Sequence, residues 1–349
     1  MKKYLALFLG AVLLVSLMTG CAPTEEKEVT TTPSAEPSDN VPEIEPVTLI
    51  ANSTANPGTA EVIALETFKE KIEEATNGLI TVEIYDSGTL FTANTETTAL
   101  SSGEIDMCLT SFDWFAESGS PWVSMFNCPY MFTSYENAYE ILSGEIGQEV
   151  FEQIFAEQQT KVLAPAYIGT RQLILRQDEN VQTTADMAGK LLRVPTTATY
   201  VAMAEAMGAV ATPMALDEVY LALQTGAIDA IEVPMSVMNS RSFYEVCKTL
   251  VMTNHLVNMK MIVMNGETWN SFDENTQSLI MEAAKAAGLA CDSTVLSSEA
   301  TLLEEFKEKG LNVIEPDVAE FQNTVLTAFL NNKDIVGSWD MDMYNKIVG

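Results

Sequence analysis

The sequence contains one histidine, His255, and four arginines, Arg171, Arg176, Arg193 and Arg241, in 349 residues. One histidine gives little support to a histidine-built metal centre or a Ser–His catalytic pair. A GxSxG elbow, a CxxC pair and a glycine-rich phosphate loop are all missing, which argues against the hydrolase, redox and nucleotide-binding chemistries those motifs serve. Basic residues are scarce as well: 18 Lys and Arg stand against 49 Asp and Glu, a formal charge of −31. Without Lys2 and Lys3 the balance is 16 to 49, or −33. Such a surface argues against nucleic acid or an anionic membrane face as a partner and repels small anions at long range. An anion site in this chain has to be local, built from positioned arginines and backbone N–H groups.

Past residue 20 no stretch approaches 18 uninterrupted apolar residues, the length a membrane span requires. The first residues differ. Lys2 and Lys3 precede an apolar run from Tyr4 to Leu17, and Met18-Thr19-Gly20-Cys21 resembles a bacterial lipobox. Residues 1–20 are therefore expected to be a lipoprotein signal peptide, with Cys21 lipidated and holding the chain to a membrane. Residues 21–46, rich in Pro, Thr, Ser and Glu, read as a disordered tether. The folded part begins near Val47 and holds about 300 residues, more than one typical core, so two lobes are expected. Its four cysteines, Cys108, Cys128, Cys247 and Cys291, sit in apolar or helical contexts and read as isolated core thiols.

Periodicity predicts alternating strands and helices. Val47 to Ala51 reads as a strand, Ala60 to Glu74 as a helix, Leu79 to Tyr85 as a strand, Thr95 to Ser102 as a helix and Ile105 to Thr110 as a strand. Strands follow at Val162 to Ile168, Gln172 to Arg176 and Lys190 to Val194, then helices at Tyr200 to Met207 and Leu216 to Thr225. Ala230 to Val233, Leu250 to Thr253 and Met259 to Met264 complete the strands, and a long helical region with an internal Gly288 runs from Asp273 to about Lys309. This alternation predicts βαβ lobes with a largely parallel sheet.

Among the four arginines Arg193 stands out, because Leu191, Leu192, Val194 and Pro195 flank it. A guanidinium carried into a core needs an anion, either an internal carboxylate or a bound ligand. The run around it, MAGKLLRVPTTATYVAMAEAMGAVATPMALDEVYLALQTGAIDAIEVP, resembles the signature of DctP-type solute-binding proteins of TRAP (tripartite ATP-independent periplasmic) transporters. The resemblance extends through Phe243-Tyr244-Glu245-Val246 and Thr253-Asn254-His255, and back through Gly169-Thr170-Arg171, Pro129-Tyr130-Met131-Phe132 and Gly103-Glu104-Ile105-Asp106. It covers essentially all of residues 47–330.

The resemblance implies an α/β, two-lobed periplasmic-binding-protein-like fold with a hinge, an interlobe ligand cleft and a long C-terminal helical region. Lobe I would comprise residues 47–168 with about 259–298, and lobe II residues 169–258 with about 299–349. It also implies that Arg193 clamps a ligand carboxylate, a task that suits a planar two-pronged donor. Arg171 matches a second family arginine and is either a ligand contact or half of a structural pair. Arg176 and Arg241 read as surface charges, and His255 as a hydrogen-bonded structural residue.

Asn56, in the loop after the first strand, and Phe112 and Trp114, after the strand ending at Thr110, lie where open α/β sheets bind ligands. The two aromatics could equally belong to a packed cluster. Thr196 is placed to share the carboxylate with Arg193. The chain departs from the family pattern at two of the expected ligand contacts. Val233 stands where the family usually has the asparagine of ENP, and Leu216 where it often has Phe or Trp. Both changes predict a carboxylate attached to something less polar than a sugar.

These readings converge on an extracytoplasmic receptor for a small-molecule carboxylate. Its partners would be the small and large membrane subunits of a TRAP permease and, through the lipid anchor, the membrane. No cofactor, metal or catalysis is implied. The rivals are a surface lipoprotein serving a sensor system and a secreted hydrolase.

Overall fold

A computed structural model describes residues 45–349. The expected signal peptide, Cys21 and nearly all of the expected tether lie outside the described residues. The chain opens with β1 (Val47–Asn52), α1 (Ala60–Ala75), β2 (Ile80–Tyr85), α2 (Ala93–Ser102), β3 (Met107–Thr110), α3 (Phe112–Glu117), α4 (Tyr135–Ser143) and α5 (Glu145–Gln158). After β4 (Thr160–Leu175) come β5 (Leu191–Val194), α6 (Ala198–Ala206), β6 (Val210–Pro213), α7 (Val219–Thr225), β7 (Ala230–Pro234) and α8 (Met235–Ser240). The strand β8 (Thr249–Asn265) leads to α9 (Gly266–Asn270), α10 (Glu274–Glu308), β9 (Asn312–Ile314), α11 (Val318–Leu330), α12 (Lys333–Val336) and α13 (Met341–Val348).

The strands form one sheet in the order β2-β1-β3-β8-β4-β7-β5-β6, with β9 on β8. Its two flanks are parallel, as βαβ connections require. The centre is not. There β3–β8, β8–β4 and β4–β7 are all antiparallel, so the largely parallel sheet expected from the sequence holds for the flanks alone.

The difference has one origin. Each of the two pairs of short strands predicted around Gly169 and Asn254 is in fact a single long strand, and β4 and β8 run side by side through both lobes. One end of β4 pairs β8 beside β3, while the other end, from Arg171, also pairs β7. The ladder shifts register between Tyr167 and Gly169, where Gly169 takes φ +124° and a Cβ would come 2.9 Å from Pro234 Cβ. Irregular backbone of this kind bends a strand without ending it. Asn254, at φ 47°, plays the same part in β8.

Side-chain alternation places the core. Leu192 and Val194 are fully buried on one face of β5, which turns Arg193 to the opposite face. The four cysteines of the fold are buried and free. The last helices pack against α6 as well as against residues near Pro121–Asn127. Trp339 Nε1 donates to Ser124 Oγ at 2.8 Å, and Met343, Tyr344 and Ile347 share an apolar cluster with Val123 and Cys128. The same cluster holds Leu192, Val194 and Tyr200, so the apolar face of the tail finds cover on both stretches of the chain.

The 35-residue α10 is capped by Asp273, whose carboxylate accepts from Thr276 N, and lies against β4. Gly288 permits that approach, since a Cβ there would stand 2.5 Å from the Pro165 carbonyl oxygen. Alanine is the better helix former by about 1 kcal/mol, but backbone overpacking costs about 1–3 kcal/mol. The net cost is about 0–2 kcal/mol, so Gly288→Ala should lower the melting temperature by up to about 4–8 °C; a higher value in a thermal melt would refute the close-packing account.

Candidate functional site

The arginines of β4 and β5 enter one cleft from the same side but in different electrostatic states. Arg171 is spoken for. Its Nε and Nη2 donate to the two carboxylate oxygens of Glu232 on β7, Nη2 also to the Glu232 carbonyl at 2.6 Å, and Nη1 to Asn258 Oδ1 at 2.7 Å. The guanidinium lies over the Tyr200 ring, 4.7 Å from its centre. His255 completes the group, with Nε2 3.4 Å from Glu232 Oε2 and Nδ1 2.8 Å from Thr253 Oγ1. Burial alone would raise the Glu232 pKa, but Arg171 and His255 outweigh it and hold the carboxyl below its ordinary range. Burial also lowers the pKa of His255. It is a packed, hydrogen-bonded residue.

Arg193 has no such partner. Its Nε and Nη2 both donate to the Met214 carbonyl, at 3.1 and 2.7 Å. Among the described residues its Nη1 has no acceptor, and no carboxylate lies within ion-pair distance. With only 3% of its surface exposed, the guanidinium is desolvated without a counter-charge. Burial, together with the neighbouring Arg171 charge and against the field of Glu232, pushes its pKa down to about 10. It still carries its charge at neutral pH.

The cleft in front of Arg193 has an empty volume of about 1100 Å³, counting its open mouth. Seven of the residues singled out in the sequence line it: Arg193, Arg171, Thr196, Trp114, Asn56, Leu216 and Val233. Phe112 does not. It is 1% exposed and stacks on Phe126 at 4.5 Å in the core, because two residues along a helix rotate a side chain by about 200°, so that Trp114 faces the cleft and Phe112 faces away.

The cleft also has walls that the sequence reading missed. Lys260 and Asn258, alternate residues of β8, line it together with Glu61, Asp113, Tyr200 and Arg241. Lys260 Nζ pairs with Glu61 Oε1 at 2.6 Å. Behind them the buried Glu96 accepts from Asn52 Nδ2 at 2.5 Å, and burial raises its pKa to about 7. Asp113, also buried, accepts from Ser111 Oγ, Asn127 Nδ2 and Thr197 Oγ1, and burial raises its pKa. Lys260 carried the same signal that picked out Arg193, a lone cation in an apolar strand.

Hydrogen bonds cross the cleft at its rim. Arg241, expected on the surface, donates to Thr54 O at 2.8 Å and pairs with Asp217 at 2.8 Å. Asn56 Nδ2 donates to Ser240 O at 3.2 Å. On the other side Thr196 Oγ1 bonds Asn94 Oδ1 at 3.1 Å, Thr197 Oγ1 bonds Asp113 Oδ2 at 3.1 Å and Ala198 N bonds Glu117 Oε1 at 2.9 Å. The start of α6 and the end of α8 are thereby tied to the β1–α3 half, which closes the walls over Arg193.

Residues 51–331 match the family model DctP, bacterial extracellular solute-binding protein, family 7. The chain belongs to this family. It is 30% identical to the sialic acid-binding periplasmic protein of Vibrio cholerae over 282 residues, 80% of this chain and 86% of that one. It is 26% identical to the C4-dicarboxylate-binding periplasmic protein of Rhodobacter capsulatus, over 79% and 82% of the two chains. A TRAP periplasmic solute-binding protein from Roseobacter denitrificans, solved with bound 3-deoxy-D-manno-oct-2-ulosonic acid, superposes with TM-score 0.83 at 28% identity, covering 87% of this chain and 99% of that one. The two-lobed α/β fold is that of the DctP family, and these relatives are solute-binding proteins. Among the described residues no helix is long and apolar enough to cross a membrane.

The different states of the two arginines have opposite consequences for stability. Glu232→Gln leaves Arg171 buried with its charge uncompensated and should cost about 3–5 kcal/mol. Arg193→Met removes a desolvated, unpaired charge and should leave the melting temperature of the ligand-free protein unchanged or raised. Thermal unfolding of both variants checks the contrast; a large loss of stability in Arg193→Met would mean that Arg193 too is a structural residue.

Proposed function

We propose that this protein is an extracytoplasmic receptor that closes its two lobes around an organic acid and delivers it to the membrane subunits of a TRAP-type permease, without catalysis. One observation carries the reading: a buried guanidinium at the centre of a closing cleft lacks a carboxylate, while the guanidinium beside it has one. A ligand carboxylate supplies the missing charge and can accept from Nη1 in the paired geometry that arginine favours. Thr196, Asn56 and Trp114 contribute through the rim and wall. Arg171 lines the cleft with its charge already paired, and holds Asn258 and the Tyr200 ring in place.

The family relatives support an acid as the ligand, since the names of two and the bound molecule of a third are those of acids. For the body of the ligand, Leu216 and Val233 supply an apolar wall, in keeping with the loss of a polar handle at those positions. The facing wall, with Asn94, Asn258 and Lys260, is polar. The reading is therefore a carboxylate with one apolar edge and one edge that accepts hydrogen bonds. Anchoring through Cys21 belongs to the same proposal and rests on the lipobox-like sequence alone.

A thermal-shift screen of carboxylates identifies the ligand, since a compound at 100 times its dissociation constant adds about 2.7 kcal/mol. Calorimetric titration of that compound into Arg193→Ala and Arg193→Lys should show at least about a hundredfold loss of affinity, about 2.8 kcal/mol, with the fold retained. The ligand should be recovered chemically intact. Unchanged affinity removes Arg193 from the site, and turnover of the bound acid defeats the receptor reading. Anchoring is tested separately: Cys21→Ser should move the protein from the membrane fraction to the soluble fraction.

A further inference from the structure

Four cationic side chains line the cleft: Arg171, Arg193, Arg241 and Lys260. Three of them already face a carboxylate, Arg171 that of Glu232, Arg241 that of Asp217 and Lys260 that of Glu61. A fourth carboxylate, Asp113, lies in the wall among donors from Ser111, Asn127 and Thr197. If Asp113 is protonated, the cleft has one cation in excess; if it is ionised, it has none. In neither state are two cations free.

The geometry points to Glu61 as a specificity residue: by masking Lys260 it restricts this cleft to acids that carry a single negative charge. The inference rests on the carboxylate reading of Arg193 and narrows it. Glu61 is held in place by the first turn of α1, and its side chain is 14% exposed against 23% for Lys260. The pair is therefore largely withdrawn from water, where an opposite charge at contact distance is compensated far more strongly than at the surface. A second ligand carboxylate arriving there would meet Glu61, with Glu96 behind it.

Lys260 is not idle in this arrangement. An ammonium has three N–H donors, and the pair with Glu61 engages one oxygen of one partner. The remaining donors suit a neutral acceptor, a hydroxyl or carbonyl oxygen. Lys260 lies two residues beyond Asn258, the Arg171 partner, on the same face of β8, a displacement of about 7 Å. The ligand class is thus a monocarboxylate with a neutral oxygen on the part of its body that reaches Lys260. A protein of formal charge −31 adds long-range repulsion that weighs more on a dianion than on a monoanion.

The test compares matched acids that differ by one terminal carboxylate: butyrate with succinate, lactate with malate, gluconate with glucarate. Each is titrated into the wild-type protein, Glu61→Gln and the double variant Glu61→Gln/Lys260→Met, and melting temperatures confirm folding. In any pair that binds, the wild type should favour the monoanion at least tenfold. Glu61→Gln should shift that ratio at least tenfold toward the dianion by freeing Lys260, and the double variant should restore it. A wild type that binds the dianion as tightly as the monoanion overturns the inference, whether or not the variants fold, and leaves the carboxylate reading standing. A folded Glu61→Gln with an unchanged ratio overturns it as well. Binding of no acid in any pair, or in the wider carboxylate screen, removes both.

Discussion

The structure depends on the buried pair between Arg171 and Glu232. It sits where β4, β7 and β8 run together, at the passage between the two halves of the molecule, and Asn258, His255 and Tyr200 close around it. A buried ion pair is weak evidence for stability in general, because desolvation offsets much of the attraction. Here its importance is geometric. Four elements far apart in sequence are locked together by one guanidinium, each of whose three nitrogens has a fixed partner. The carboxylate that satisfies Arg171 is also taken away from Arg193, which bonds only the Met214 carbonyl.

That division of labour connects folding to binding. A buried guanidinium without a carboxylate costs stability, and under the proposed function an entering acid would remove that cost. On the proposed reading the acid would favour a closed arrangement, in which Arg193 is desolvated, over an open one that water reaches. A difference in affinity between two arrangements is what shifts their populations. The bonds at the rim, from Thr196 and Thr197 on one side and Asn56 and Arg241 on the other, stabilise closure without touching the centre of the cleft.

Much of the fold was legible in the sequence because local periodicity and local packing agree. β1, α1, β2 and the long α10 fall within a few residues of where their apolar spacing puts them. The crossing strands were not legible. Gly169, Thr170 and Arg171 break the apolar pattern of β4, and Asn254 and His255 that of β8, because the strands bend there and because Arg171 and His255 are buried as polar partners of Glu232 and not as apolar core. Arg193 could be found because it is a cation in an apolar run. Its state could not, since Glu232 and Met214 reach the arginines only through the sheet. Lys260 and Glu61 lie about 200 residues apart in sequence, and no spacing rule joins them. Phe112 and Trp114 show the limit at the smallest scale, where a helix of six residues decides which ring faces the cleft.

The sulfur atoms of the fold have a use of a different kind. Cys108, Cys128, Cys247 and Cys291 are all buried and unpaired, and burial pushes each thiol above its ordinary range. A thiol reacts as its thiolate, so these four are silent toward maleimides and nitroxide reagents while the protein stays folded. Two cysteines introduced on opposite sides of the rim would then be the only reactive ones among the described residues. Fluorophores or spin labels could be attached there without stripping the native cysteines from the core, and the opening of the cleft could be followed as a distance in solution.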